Sequence, residues 1–90
     1  MASERGAWRV EWAETALRDL FRLDRPVARR IVSKLERAAT DPSRFFERLT
    51  GSADYKLRVG DYRLLALISH EDRIIYVERV GHRSTIYDRP

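Results

Sequence analysis

The dipeptide Gly60-Asp61 constrains this chain more than any other feature. It sits between Tyr55-Lys56-Leu57-Arg58-Val59 and Tyr62-Arg63-Leu64-Leu65, two short runs of alternating apolar and charged residues. A two-residue turn with glycine first joins such runs into a tight antiparallel hairpin. The turn also sets the register: Val59 opposes Tyr62, Arg58 opposes Arg63, and Leu57 opposes Leu64. Side chains alternate along each strand, so Leu57, Val59, Tyr62 and Leu64 share one face and Lys56, Arg58 and Arg63 share the other. Like charges set opposite each other on a sheet repel, where ordinary cross-strand pairs contribute roughly 0.2–1 kcal/mol. No acidic residue of the hairpin's strands falls on that face; Asp61 lies in the turn. A rigid positive cluster of this kind suits phosphate.

The remaining elements follow from periodicity. Residues 7–12 alternate, with Trp8, Val10 and Trp12 on one side, and predict a half-buried strand. Residues 13–23 carry Ala13, Ala16, Leu17, Leu20 and Phe21 at helical spacing. Asp24 and Pro26 begin a second helix over residues 26–40, with Val27, Ile31, Leu35 and Ala38 as its apolar stripe. Arg29, Arg30, Lys34 and Arg37 lie off that stripe and read most simply as a solvated face. The short link predicts an antiparallel helical hairpin. Residues 43–54 read as irregular, with Phe45, Phe46 and Leu49 tucked against the core. Strands are expected over 55–59, 62–69 and 73–80, with a turn at His70-Glu71-Asp72. Ile74-Ile75-Tyr76-Val77 is apolar on both parities, so the last strand belongs inside the sheet. The expected fold class is α+β. An N-terminal strand and a helical hairpin precede a three-stranded antiparallel meander, giving a four-stranded sheet packed on two helices. Residues 1–90 make one domain.

Composition excludes several function classes. The chain has no cysteine, which removes disulfides and thiolate metal sites, and two histidines are poor material for structural zinc. No carboxylate cluster suggests a two-metal nuclease. Cofactors are not expected. No apolar run reaches the length of a signal peptide or the ~20 residues of a membrane-spanning helix, so no membrane association is expected. A reducing cytoplasm fits. Net charge is +4, and apart from Lys34 and Lys56 every Lys/Arg position is arginine, whose planar fork matches phosphate. Past the last strand come Gly81, His82, Arg83 and then Tyr87. Histidine is the side-chain type best suited to exchange protons at physiological pH, and Tyr87 can stack on a base or position a proton. Cations with a histidine and a tyrosine suit cleavage of RNA by its own 2′-hydroxyl. That reaction needs proton removal, phosphorane stabilisation and protonation of the leaving 5′ oxygen.

Two stretches, Leu49-Thr50-Gly51 with Tyr55 to Leu65, and Arg79-Val80-Gly81-His82-Arg83-Ser84-Thr85-Ile86-Tyr87, resemble the RelE/ParE superfamily of bacterial and archaeal type II toxins. The resemblance covers nearly the whole chain. It implies a RelE-type endoribonuclease that cuts mRNA in the ribosomal A site. It also implies a cognate antitoxin that wraps and silences it, with operator DNA met only through the antitoxin complex. Family catalytic positions fall on Lys56, Arg58, Arg63, Arg83 and Tyr87. Arg63 would stabilise phosphorane charge, Arg83 would bind phosphate beside it, and Tyr87 would stack on or orient the nucleotide. Arg58 departs from the pattern, standing where the family often has lysine, and it shuttles protons poorly. Thr50 replaces an arginine found in some members, and His82 is a candidate to compensate. Two other readings are a ParE-like gyrase inhibitor and a non-catalytic RNA-binding or operon-regulating homologue.

Overall fold

The computed structural model describes residues 7–88; Met1-Ala2-Ser3-Glu4-Arg5 and the end of the tail at Pro90 lie outside the described residues. The elements run β1 (Arg9–Trp12), α1 (Glu14–Phe21), α2 (Arg25–Ala38), α3 (Pro42–Phe45), β2 (Glu47–Arg48), β3 (Tyr55–Val59), β4 (Tyr62–Ser69) and β5 (Ile74–His82). A 3-10 turn at Ile86–Asp88 follows. The strands form one sheet in the order β1-β5-β4-β3-β2, with β1 parallel to β5 and the other pairs antiparallel. The α+β class stands, and β5 is an internal strand as its composition requires.

The sheet has five strands rather than the four expected. The extra strand comes from residues 43–54, which are only partly irregular. Pro42 begins a single helical turn, and Glu47 and Arg48 then pair with Lys56 and Tyr55. Two residues cannot display a period, so this strand leaves no pattern to read. β5 runs to His82 rather than stopping at residue 80. Gly81 reads as a breaker but still pairs with Arg63, and His82 pairs with Tyr62. A register shift near Leu65/Ala66 leaves Glu78 as an extra residue between Val77 and Arg79.

The hairpin has the expected register. Val59 faces Tyr62, Arg58 faces Arg63, and Leu57 faces Leu64. Gly60 has φ +59°, a value other residues reach only with strain, which the tight turn requires. The core lies between α2 and one face of the sheet: Ile31, Leu35 and Ala38 meet Leu57, Leu64, Ala66, Ile75, Val77 and Val80. Burying such side chains contributes about 1.5–3 kcal/mol each.

α1 is placed differently from a plain amphipathic helix. β1 ends opposite Val77, which leaves the rest of β5 without a neighbour on that side. α1 lies along this open edge and satisfies it. Ala13 N donates to Val77 O (2.9 Å), Thr15 Oγ1 donates to Glu78 O (2.8 Å), and Val80 N donates to an Asp19 carboxylate oxygen (2.9 Å). Arg79 adds Nε and Nη2 bonds to the same carboxylate at 2.8 and 3.3 Å. An unpaired strand edge is a template for aggregation, and this helix removes it. Because a strand edge is narrow, only Ala16 of the α1 stripe is buried; Phe21, assigned to the core by spacing, is 80% exposed.

Candidate functional site: a cationic hairpin tip

The site is built at the end of the sheet where the β3–β4 turn meets the tail. Arg63 stands in β4 between Arg58 of β3 and Gly81 of β5. Directly opposed residues place their Cβ atoms within about 4.5–5.5 Å, so the Arg58 and Arg63 stems rise side by side. Arg63 is nevertheless only 8% exposed. Its Nη1 donates to Gly60 O at 2.9 Å and to Tyr62 O at 2.8 Å. Glycine at position 81 leaves room above the sheet, and Ile86 fills it: a Cβ added there would lie 3.5 Å from the Ile86 side chain. The 3-10 turn thus folds over the face that carries Arg63. Two donors of this guanidinium are spent inside the fold, while Nε and Nη2 make no hydrogen bond among the described residues and can meet an anion.

Arg83 is tied to the same tip. Its backbone N donates to Asp61 O at 2.8 Å, and its Nε lies 3.6 Å from Asp61 Oδ1, with the side chain 61% exposed. Tyr87 follows Ile86 and is half exposed. Lys56 shares the arginine face but stands two residues from Arg58 along β3, roughly 7 Å away. Its Nζ lies 3.6 Å from Glu47 Oε1. The short β2 therefore brings a carboxylate to a face on which the hairpin itself has none.

His82 is not brought to this face. It pairs with Tyr62, one residue out of step with Arg63, and strand alternation points it to the opposite side of the sheet. Its ring meets Tyr62 edge-on, with centroids 5.3 Å apart and planes at 81°. Nδ1 accepts the Ser84 N–H at 3.1 Å and lies 2.8 Å from Ser84 Oγ, which assigns the ring proton to Nε2. Arg30, one of the α2 cations expected on a solvated face, comes to the tip as well. Its Nη1 lies 3.6 Å from where a Cβ on Gly60 would stand, so α2 delivers a further cation to the turn. Nothing in the helical periodicity of Arg30 signals this approach.

The surrounding charges are settled by burial and pairing. Burial alone would raise the Asp19 carboxyl, but the Arg79 hydrogen bond, the Val80 N–H and the charges of Arg79 and Arg22 outweigh it and hold the pKa below its ordinary 3.8. The Glu78 carboxyl is pushed above its ordinary 4.5, by burial first and then by Asp54 beside it. Arg79 is thereby neutralised within the fold, while Arg58 has no carboxylate in ion-pair range among the described residues.

The sequence model for the ParE toxin of the type II toxin–antitoxin system parDE matches residues 10–87. The chain belongs to this toxin family, within the RelE/ParE superfamily. The toxin–antitoxin complex RelBE2 from Mycobacterium tuberculosis is similar in structure, with a TM-score of 0.78 and 28% identity over 88% of this chain and 94% of that one. The intact RelBE complex of E. coli gives 0.72 and 27%, over 84% and 96%. The isolated RelE toxin of E. coli gives 0.73 and 26%, over 91% and 93%. Comparison with curated proteins finds no match. Among the described residues of this toxin, no helix is long and apolar enough to cross a membrane.

Proposed function

We propose that this toxin is a RelE-type endoribonuclease that cuts mRNA in the ribosomal A site and halts translation in the cytoplasm. A cognate antitoxin would hold it in check, and operator DNA would be met only through that complex. The observation that carries the reading is Arg58 opposed to Arg63 at the hairpin tip, with Arg63 locked by two turn carbonyls. Holding one edge of a guanidinium in the fold fixes the direction of the other. A donor aimed before the reaction needs no reorganisation as charge develops.

In this reading the 2′ oxygen attacks the adjacent phosphorus and the bond to the 5′ oxygen breaks. The 2′ proton goes to a base and the 5′ oxygen receives one from an acid. Arg63 and Arg58 neutralise the phosphorane, Arg83 binds phosphate beside them, and Tyr87 orients the nucleotide. Arginines keep their protons, so proton transfer falls to Lys56 and Tyr87. His82, on the other face of the sheet, supports the tail through Ser84 instead.

The test is cell-free translation with mRNA ends mapped by primer extension, comparing wild type with Arg63→Ala, Arg63→Lys and Arg83→Ala. Cuts inside ribosome-bound codons that disappear in the variants are expected. Unaffected mRNA and translation would overturn the reading. The ParE match favours a second one, inhibition of DNA gyrase, which would appear as gyrase-dependent DNA breakage with intact mRNA.

A further inference from the structure

We propose that one flank of α2, carrying Arg30, Lys34 and Arg37, is a second binding surface that takes the sugar–phosphate backbone of single-stranded RNA running on from the hairpin tip. The choice of RNA rests on the endoribonuclease reading; the surface itself rests on independent geometry. Residues 30, 34 and 37 are spaced by four and three, so they stand on one side of the helix, beside the buried stripe of Ile31, Leu35 and Ala38. Arg30 begins the row at the tip, 3.6 Å from the Cβ position of Gly60. Arg37 ends it about 10 Å further along the helix axis, with its guanidinium 5.9 Å from the Phe45 ring centre. Arg44 lies at the same distance from that ring. Among the described residues, no carboxylate is within ion-pair range of Arg30, Lys34, Arg37 or Arg44.

Like charges at these spacings repel and weaken a helix. The row is therefore not explained by the stability of α2, and an external polyanion is what it fits. A nucleic-acid backbone suits it better than a protein. Protein interfaces are anchored by buried apolar or aromatic side chains, and α2 offers apolar side chains on its other flank, where Ala28 and Val32 line a groove together with Arg25, Arg29, Ser33 and Glu36. The row also starts where the candidate cleavage site ends. Gly60 lies between Arg30, approaching from the helix side, and Arg58 and Arg63 on the opposite face of the hairpin.

The test uses the full-length toxin and 2′-O-methyl RNA oligomers of 4 and 12 nucleotides, which cannot be cut by 2′-oxygen attack. Binding is read by fluorescence anisotropy across a salt series. The variant is Arg30→Gln/Lys34→Gln/Arg37→Gln, compared with Arg25→Gln/Arg29→Gln. Losing three phosphate contacts should flatten the slope of log K against log salt by about 2, at roughly 0.7 per contact for single strands. At low salt the 12-mer should bind 10- to 100-fold more weakly, on the order that such a slope implies. The 4-mer and the comparison variant should be little changed. Unchanged 12-mer binding and slope, or an equal loss in the comparison variant, would overturn the proposal. So would a triple variant that keeps the 12-mer but loses ribosome pelleting or antitoxin affinity, which would make the row a contact for those partners. A wild type that cuts no mRNA while the slope still falls sinks the endoribonuclease reading and leaves the surface standing. Cutting with an unchanged slope does the reverse.

Discussion

Replacing Asp19 with alanine tests how α1 is fastened to the sheet. The substitution removes the acceptor of Val80 N at 2.9 Å and of Arg79 Nε at 2.8 Å. A buried donor left without a partner costs about 1–3 kcal/mol. The Arg79 side chain is 33% exposed and water compensates part of its loss, so the ion pair adds about 1 kcal/mol or less. The sum, about 1–4 kcal/mol, corresponds to a Tm lower by roughly 4–30 °C for a domain of this size. The pH dependence provides an internal check. The carboxyl pKa is depressed below 3.8, so its contribution is complete above that value and is lost as pH falls through the folded-state pKa. Thermal unfolding followed by circular dichroism should show a constant gap between wild type and Asp19→Ala from pH 7 to about pH 4, closing below. A gap under about 3 °C at pH 7, or one that widens in acid, would show that Asp19 does not fasten the helix; the first figure is well below the change expected for 1 kcal/mol.

Gly60→Ala should cost about 1–2 kcal/mol, because φ +59° strains any residue with a Cβ. The added carbon meets Arg30 Nη1 only at 3.6 Å, an ordinary contact, so the loss reports backbone strain; chemical denaturation should show a shifted midpoint with an unchanged slope. Glu78→Gln should raise Tm at pH 7. The wild-type carboxyl is raised above 4.5 by burial and by Asp54, so wild-type stability falls as pH climbs through that window, and the advantage of glutamine should vanish below about pH 4.5.

The parts of the fold that could be read from sequence are those where one local rule has one outcome. The β3–β4 register is the clearest: a two-residue turn leaves no freedom, and alternation then sorts Leu57 and Leu64 from Arg58 and Arg63. The α2 stripe was equally legible because a broad sheet face covers it. Phe21 sits on an equally good stripe and is exposed, since α1 meets a strand edge and not a face. β2 could not be read because its two residues pair only through the position of β3. His82 shows how sharply strand parity decides a site. One residue separates it from the partner of Arg63, and that step moves it to the other side of the sheet. Arg63 was expected at a charged surface; its burial follows from two carbonyl groups that the turn leaves pointing at it.

That last difference changes what each cation says about function. Arg63 has a structural role whatever the toxin acts on, because it satisfies Gly60 O and Tyr62 O and lies under the Ile86 turn. Its presence would be needed by a gyrase inhibitor with this hairpin as much as by a nuclease. Arg83 likewise ties the tail to the turn through Asp61. Arg58 has no such role among the described residues. It is exposed, unpaired with any carboxylate, and set opposite another guanidinium, an arrangement that weakens the sheet. Arg30, Lys34 and Arg37 repeat that situation on the helix beside it. Arg58 on one face of the hairpin and Arg30 on the other therefore flank a single turn, and Lys34 and Arg37 continue from it along the helix. This arrangement is what a chain gripping a long polyanion requires, and a toxin that recognises only a folded protein surface has less use for it.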